Sequence, residues 1–214
     1  MKNQEKTQDW ANLTKYQTQN SQLQIIIYEE KRIVFMGDSI TEIWSTIYPQ
    51  FFLNKPYINR GISGQTTPQM LVRFRADVVA LHPTAVIILA GINDIAGNTG
   101  FSSIEMIRDN IFSMVEIAKA NQIKVIICSI LPAADFSWKP NQEPIEKIKD
   151  LNKILINYAT ENDLIYVDYY SSMVDDKGGL KIEFSNDGVH PNIAGYQIMA
   201  PLVEKAIERA LMKN

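Results

Sequence analysis

Short apolar runs alternate with amphipathic stretches along the chain, and this alternation limits the possible folds more than any other feature. The apolar runs have the length of buried strands and lie at residues 32–36, 57–59, 85–89, 125–130 and 164–167. Stretches with helical periodicity lie between these runs and after the last one, from residue 41 onward and at residues 68–81, 103–121, 143–162 and 192–212. Strands that alternate with helices form a parallel sheet with helices on both faces. The pattern therefore predicts an α/β fold with a parallel sheet.

The length of 214 residues fits one domain, because single cores commonly extend to about 250 residues. Before the first predicted strand, residues 9–13 and Tyr16 suggest a short packing helix. We therefore expect residues 1–30 to form an N-terminal helical extension packed on a domain that spans residues 31–214. The protein is expected to be a monomer or a homodimer.

Composition and charge argue against nucleic acid and membranes as partners. The net charge of −3 provides no basic field for nucleic acid or an anionic lipid surface. The longest apolar run, residues 85–90, is far shorter than the ~20 residues of a membrane span. The polar first 20 residues lack the apolar core of a signal peptide, which favours the cytoplasm for the sequence as given. A periplasmic or secreted location would require a leader that had been removed.

Cysteine and histidine are too sparse for a predicted metal site. The single cysteine, Cys128, lies inside an apolar run, as a small core residue does, and cannot form an intramolecular disulfide. The two histidines, His82 and His190, are far apart, and no cluster has the spacing of zinc ligands. We expect no metal and no cofactor, and we expect His82 to be solvated at the opposite edge of the sheet.

Polar clusters follow the first three predicted strands and precede the last helix. They comprise residues 37–39, 61–64, 91–94 and 187–190. Ligands of open parallel sheets bind beyond the carboxyl ends of the strands. The four clusters are therefore expected to converge on one edge of the sheet.

Ser39 is the candidate nucleophile, since a serine between a strand and a helix exposes its hydroxyl to the N–H groups of the helix. Serine reacts only when a neighbouring base removes its proton. The alternative is structural, because residues 39–42 spell the capping box S-x-x-E, in which Ser39 would only cap the helix.

His190 is the candidate base, because imidazole can accept and return a proton near neutral pH. Asp187, three residues earlier, could accept a hydrogen bond from the other ring nitrogen and orient the ring. Pro191 restrains the backbone of His190 and can begin the following helix. The alternative is an ordinary turn at residues 186–188, with His190 as a surface residue.

Gly64 and Asn93 are candidates for stabilising the negative oxygen of a tetrahedral intermediate. The backbone N–H groups of Ser39 and Gly64 and the side-chain amide of Asn93 would supply three donors. Glycine would suit a position that the substrate approaches closely, because no Cβ stands in the way. The alternatives are a tight turn at residues 61–64 and a helix cap at Asn93.

Together these clusters resemble the SGNH (GDSL) hydrolase family. The resemblance rests on four blocks in the family order: Gly37-Asp38-Ser39, Gly64, Gly91-x-Asn93-Asp94 and Asp187-x-x-His190. It extends from about Arg32 to the C-terminus, and the one small departure is Ile40, where the name motif has leucine. It implies a flavodoxin-like three-layer α/β/α sandwich with a five-stranded parallel sheet. It also implies a Ser39, Asp187 and His190 triad, with oxyanion donors at Ser39, Gly64 and Asn93.

Within the family, residues 59–67 look most like the branch of platelet-activating-factor acetylhydrolase catalytic subunits, which bacterial carbohydrate acetylesterases also resemble. We therefore expect an esterase acting on short acyl groups, above all acetyl, with a small ester or an acetylated carbohydrate as its substrate. The short loops after the first three strands favour this over a lysophospholipase or a thioesterase for longer chains.

Two residues are expected to contact that substrate, Asp38 beside the nucleophile and Trp138 in the long loop at residues 131–142. Phe136 and Trp138 could form one wall of the cleft, or both could pack the loop onto the domain. A dinucleotide-binding protein is disfavoured, because residues 37–42 lack the G-x-G-x-x-G pattern. A non-catalytic binding module would be expected to have lost at least one of the candidate catalytic residues.

Overall fold

The computed structural model of the protein describes residues 9–25 and 31–212. Its centre is a five-stranded sheet in the order β2-β1-β3-β4-β5, in which every neighbouring pair is parallel. The strands are β1 (Ile33–Gly37), β2 (Tyr57–Gly61), β3 (Ala85–Leu89), β4 (Lys124–Cys128) and β5 (Ile165–Val167). This is the flavodoxin-like order. The predicted fold class is confirmed.

Helices cover both faces of the sheet. They are α1 (Gln17–Ile25), α2 (Ser39–Ile47), α3 (Thr67–Asp77), α4 (Ile92–Ile95), α5 (Ile104–Ala120), α6 (Pro144–Glu161), α7 (Tyr170–Met173) and α8 (Ile193–Met212). On one face α2 packs on β1 and β2, and α8 packs on β4 and β5. On the other face α5 packs on β4, α6 packs on β5, and α3 packs against α5. Because both faces are covered, every residue of β1 and β3 is buried.

Two of the strands end two residues away from their predicted ends. β2 continues to Gly61, and β4 ends at Cys128 instead of Ile130. The side chain of Asn152 explains the second difference, because its oxygen accepts from the Ile130 N–H at 2.7 Å and its amide donates to the Ile130 carbonyl at 2.9 Å. A helix side chain thus satisfies the backbone that would otherwise continue the strand.

The helix predicted near residues 9–16 is wrong in its position. That segment forms turns, and α1 begins only at Gln17. The Asp9 carboxylate accepts from the N–H groups of Leu13 and Thr14 at 2.8 and 2.9 Å, and Asn12 has a left-handed φ of 56°. These local bonds favour a turn over a helix. The expected domain boundary at residue 30, like residues 1–8, lies outside the described residues.

The guanidinium of Arg73 is completely buried beneath the polar edge of the sheet. It donates to the Asp77 carboxylate at 2.9 Å, to the Gly37 carbonyl at 3.0 Å and to the Gln65 side-chain oxygen at 2.5 Å. A buried charge is tolerated only when it is paired and hydrogen-bonded. Arg73 therefore ties the end of β1 to the loop after β2.

We predict that Asp77→Ala lowers the free energy of unfolding by about 3–5 kcal/mol, because it leaves the Arg73 charge buried without its carboxylate. Urea unfolding at pH 7 would measure the change. The control is Glu146→Ala, which removes the partner of Lys149 in an exposed pair and should have a much smaller effect. Equal effects of the two substitutions would contradict the structural role of Asp77.

Candidate active site

Ser39 is the first residue of α2 and not its cap. The cap is Asp38, whose carboxylate accepts from the Ile40 N–H at 2.9 Å. Glu42, the other end of the supposed capping box, accepts instead from the N–H and the hydroxyl of Ser63, both at 2.6 Å. The capping-box alternative for Ser39 is therefore wrong. Its hydroxyl takes no part in starting the helix.

The hydroxyl of Ser39 meets His190, which lies 151 positions later in the chain. The distance from Ser39 Oγ to His190 Nε2 is 2.9 Å, and the distance from His190 Nδ1 to Asp187 Oδ2 is 2.7 Å. The second carboxylate oxygen, Asp187 Oδ1, accepts from the backbone N–H groups of Val189 and His190 at 2.9 and 2.8 Å. Serine, histidine and aspartate thus form one chain of hydrogen bonds in the order that a triad requires.

The electrostatics of Asp187 determine how the imidazole is oriented. Partial burial raises the pKa of this carboxyl, but hydrogen bonds from the His190 ring and from the backbone N–H groups of His190 and Val189 outweigh burial and lower the pKa to about 2. The carboxylate is therefore charged at neutral pH and accepts a proton from Nδ1. Nε2 is then the ring nitrogen that can accept the hydrogen bond of Ser39 Oγ.

Ser185 holds the loop that carries Asp187 and His190. Its hydroxyl lies 3.1 Å from Asp187 Oδ1 and 2.8 Å from the His190 carbonyl, and it accepts from the Gly188 N–H at 3.0 Å. This role of Ser185 is not evident from the sequence, because the letters of residues 185–188 suggest only an ordinary turn. The structure has that turn, and the serine side chain spans it.

Asp38 is buried directly before Ser39, with 1% of its surface exposed. Burial raises the pKa of its carboxyl to about 7, against the opposing effects of the Ile40 N–H and the charge of His190. A contact between Asp38 and substrate stays a prediction, and the burial leaves little of the carboxyl accessible.

Gly64 lies in the loop after β2 with a φ of +76°, a backbone conformation that favours glycine. A Cβ at this position would meet only the side-chain nitrogen of Asn98, at 3.9 Å. Backbone conformation and not lack of space within the protein therefore accounts for the glycine.

Asn93 lies inside the short helix α4 after β3 and is 3% exposed. Gly91 occupies the cap position, so the alternative that Asn93 caps a helix is wrong. The amide of Asn93 donates to the Gln65 carbonyl at 3.1 Å, and its oxygen accepts from the Asn98 amide at 2.8 Å. The Asn98 amide also lies 3.2 Å from the Gly64 carbonyl. These bonds join Gly64 and Asn93 into one cluster.

Trp138 extends this cluster toward His190. Its indole N–H donates to the Asn98 oxygen at 3.1 Å, and its ring centroid lies 6.1 Å from that of His190. Trp138 is 42% exposed, whereas Phe136 is fully buried and packs the loop onto the domain. Only the tryptophan of this pair can therefore line a cleft.

Asn98 and Gln65 are site residues that sequence analysis missed. Asn98 lies between two glycines in a segment that reads as a turn, and Gln65 is one polar residue in a polar loop. Both hold Asn93 through contacts that are 5 and 28 positions apart in the chain. No spacing or periodicity marks such a role.

The part of the chain that the structure describes contains no cluster of metal-ligating side chains. Among residues 9–25 and 31–212, no group of three or more His, Cys, Asp or Glu could hold a metal ion. His82 is exposed in the loop before β3, at the opposite end of the strands from Ser39. Within the same described segments, no helix combines the length and the apolar character needed to cross a membrane.

Several proteins similar to this chain are described as acylhydrolases or esterases. A protein from Bacteroides fragilis described as an acylhydrolase is 50% identical, with a TM-score of 0.93 over 95% of this chain and 99% of that one. A Streptococcus pneumoniae protein described as a platelet activating factor is 26% identical, with a TM-score of 0.75 over 90% and 91% of the two chains. The acetylxylan esterase of Geobacillus stearothermophilus is 23% identical over 200 residues, which is 79% of this chain and 90% of that protein.

A protein-family model also matches most of the chain. Residues 35–198 match the model of the GDSL-like lipase/acylhydrolase family, which confirms the resemblance recognised in the four sequence blocks. Since that match covers most of the chain, the protein belongs to the GDSL-like lipase/acylhydrolase family and is a hydrolase of esters.

Proposed function

We propose that this protein is a serine esterase that removes short acyl groups, above all acetyl, from a carbohydrate. Ser39 is the nucleophile, His190 the general base and acid, and Asp187 the residue that orients the imidazole. The observation that carries the proposal is the chain of two hydrogen bonds, 2.9 and 2.7 Å long, from Ser39 through His190 to Asp187.

The reaction follows from the positions of these three groups. Ser39 Oγ attacks the ester carbonyl carbon while His190 Nε2 takes the hydroxyl proton. The tetrahedral intermediate collapses when the bond to the alcohol oxygen breaks, and His190 returns the proton to that oxygen. Water then attacks the acyl-enzyme, His190 takes a proton from the water and gives it to Ser39 Oγ, and the carboxylic acid leaves.

Three donors at the carboxyl ends of the strands would bind the negative oxygen of the intermediate. They are the backbone N–H groups of Ser39 and Gly64 and the side-chain amide of Asn93. Neither backbone N–H donates to another group within the described residues. Asn93 spends one of its two amide hydrogens on Gln65, so the other remains for a ligand.

Two observations support an acetylated carbohydrate as the substrate. The half-exposed Trp138 ring lies beside His190, and an aromatic face suits the C–H face of a sugar ring. The similarity to an acetylxylan esterase over 90% of that protein's length points to the same class of substrate.

A second candidate function is hydrolysis of esters with longer acyl chains, as in a lysophospholipase or a thioesterase. A cavity beside His190 favours it, because Ile47 and Ile193 line that cavity and are 38% and 53% exposed. Exposed apolar side chains in a concave surface are typical of sites for apolar ligands. Acyl-chain selectivity separates the two candidates.

We predict that Ser39→Ala abolishes both ester hydrolysis and labelling by a fluorophosphonate probe, because the probe reacts only with an activated serine. The matched control is Ser45→Ala on the same helix. Among the described residues, the Ser45 hydroxyl donates to the Glu42 carbonyl and forms no hydrogen bond with His190. Labelled peptides would be identified by mass spectrometry. Undiminished turnover by Ser39→Ala would refute the assignment of the nucleophile.

Asn93→Ala is expected to lower kcat by about 10²–10³-fold with little change in KM, the usual cost of losing one oxyanion donor. Steady-state kinetics on a soluble acetate ester would measure both constants, and thermal unfolding would verify the fold. The control is Asn121→Ala at the exposed end of α5, because the Asn121 side chain bonds only to its own helix. A change confined to KM would make Asn93 a residue that positions substrate.

For p-nitrophenyl esters, kcat/KM should be highest for acetate and fall through butyrate and octanoate to palmitate. Trp138→Ala should lower kcat/KM on acetylated sugars about tenfold, the effect of losing ~1.4 kcal/mol of ring contact. Trp138→Phe keeps a ring but loses the bond to Asn98, so it separates ring contact from support of Asn98. A maximum at octanoate or longer would favour the second candidate function instead.

A further inference from the structure

A cavity beside His190 has no role in the proposed removal of acetyl groups. This cavity has a volume of about 650 Å³, and His190 and Asp187 lie in its wall, whereas Ser39 does not line it. Its volume lies within the ~300–1,000 Å³ typical of small-molecule sites. Neither Gly64 nor Asn93 lines it. The cavity is therefore on the histidine side of Ser39 and not on the side of the proposed oxyanion donors.

The apolar part of the cavity comes from two helix ends. Ile47 is the last residue of α2, and Ile193 is the first residue of α8. They are 38% and 53% exposed, so both keep apolar surface in contact with water. Covering that surface with the C–H groups of a ligand would be favourable.

The polar part of the cavity consists of amide side chains. Asn192 uses both ends of its amide within the protein, donating to the Glu183 carbonyl at 3.0 Å and accepting from the Gly195 N–H at 3.0 Å. Asn186 and Gln197 also line the cavity, and neither side chain makes a hydrogen bond to another described residue. Two amides are thus free to bind hydroxyl groups of a ligand.

The chemistry of ester cleavage indicates which part of the substrate belongs there. His190 must give its proton to the departing alcohol oxygen, so the alcohol has to lie against the imidazole. The carbonyl oxygen has to lie at Gly64 and Asn93. Because the cavity contains His190 and neither of those two residues, it adjoins the alcohol and not the carbonyl oxygen.

We propose that this cavity is the alcohol subsite, and that it binds a sugar ring. The C–H face of the ring packs on Ile47 and Ile193, and its hydroxyl groups bind the amides of Asn186 and Gln197. Trp138 does not line the cavity, so the contact proposed for it above falls to a neighbouring ring of the same carbohydrate. This inference rests on the proposed function, since it assumes that His190 protonates the leaving group. An acyl chain would cover the same apolar surface but could bind neither amide, whereas the hydroxyl groups of a sugar can hydrogen-bond to both.

The test varies the alcohol and the acyl group separately. The first series keeps acetyl and compares ethyl acetate with acetylated xylose and acetylated xylo-oligosaccharides. The second keeps ethanol and compares ethyl acetate, butyrate and octanoate. The variants are Gln197→Ala, Ile193→Ala and the double variant Asn186→Ala/Gln197→Ala. The control is Ile156→Ala on α6, which is 42% exposed and does not line the cavity.

Each single variant should lower kcat/KM on acetylated sugars by about three- to tenfold, mainly through KM, as expected for one lost hydrogen bond or apolar contact. Activity on ethyl acetate should stay within about twofold of the parent, because ethanol is too small to reach the amides. The double variant should show the larger loss, and Ile156→Ala should change neither substrate.

Three outcomes would overturn the alcohol subsite. Unchanged kinetics on acetylated sugars would mean that the sugar does not reach the cavity. A changed order among the ethyl esters, with acetylated sugars unaffected, would place the acyl chain there instead. Equal losses on ethyl acetate and on sugars would mean that the variants disturb the triad. Failure of the proposed function is distinguishable from all three, because Ser39→Ala would then retain activity on ethyl acetate.

Discussion

The buried guanidinium of Arg73 is the interaction on which the geometry of the candidate site depends. It donates hydrogen bonds simultaneously to the Gly37 carbonyl at the end of β1, to the Gln65 side chain after β2 and to the Asp77 carboxylate on α3. The backbone carbonyl of Gln65 in turn accepts from Asn93 after β3. Three consecutive strand ends are therefore joined through one charge that cannot move without losing its partners. Ser39 begins its helix two residues after Gly37.

The N-terminal segment supports the same loop from outside the sheet. The Gln65 amide donates to the Ala11 carbonyl, the Gln69 amide donates to the Trp10 carbonyl, and the Tyr16 hydroxyl donates to the Gly61 carbonyl. Two side chains that follow Gly64 thus bind backbone carbonyls of the segment that precedes β1, and a side chain of that segment binds the backbone before Gly64. The segment is therefore part of the framework around Gly64, because it forms hydrogen bonds to residues on both sides of that glycine.

The two aspartates beside the Ser39–His190 pair, Asp38 and Asp187, differ in their electrostatics. Burial raises the pKa of Asp38 to about 7, whereas hydrogen bonds hold that of Asp187 at about 2 despite its own partial burial. Such a pair favours one charged carboxylate, the one that faces the His190 ring. The imidazole is consequently oriented from the Asp187 side, and the Ser39 side of the ring remains free to accept a proton.

Sequence alone determined the α/β class, the parallel sheet and the local motifs around Ser39 and His190, because apolar periodicity and short-range spacing are properties of neighbouring residues. The site partnerships were decided by tertiary structure. Asp38 and not Ser39 caps α2, Asn152 ends β4, and Asn98 and Gln65 hold Asn93. Each of these contacts exists because packing brings two polar groups to within about 3 Å of each other. The periodicity of the sequence carries no information about such pairs. The free amides of Asn186 and Gln197 likewise become meaningful only once α2 and α8 bring Ile47 and Ile193 to the same cavity.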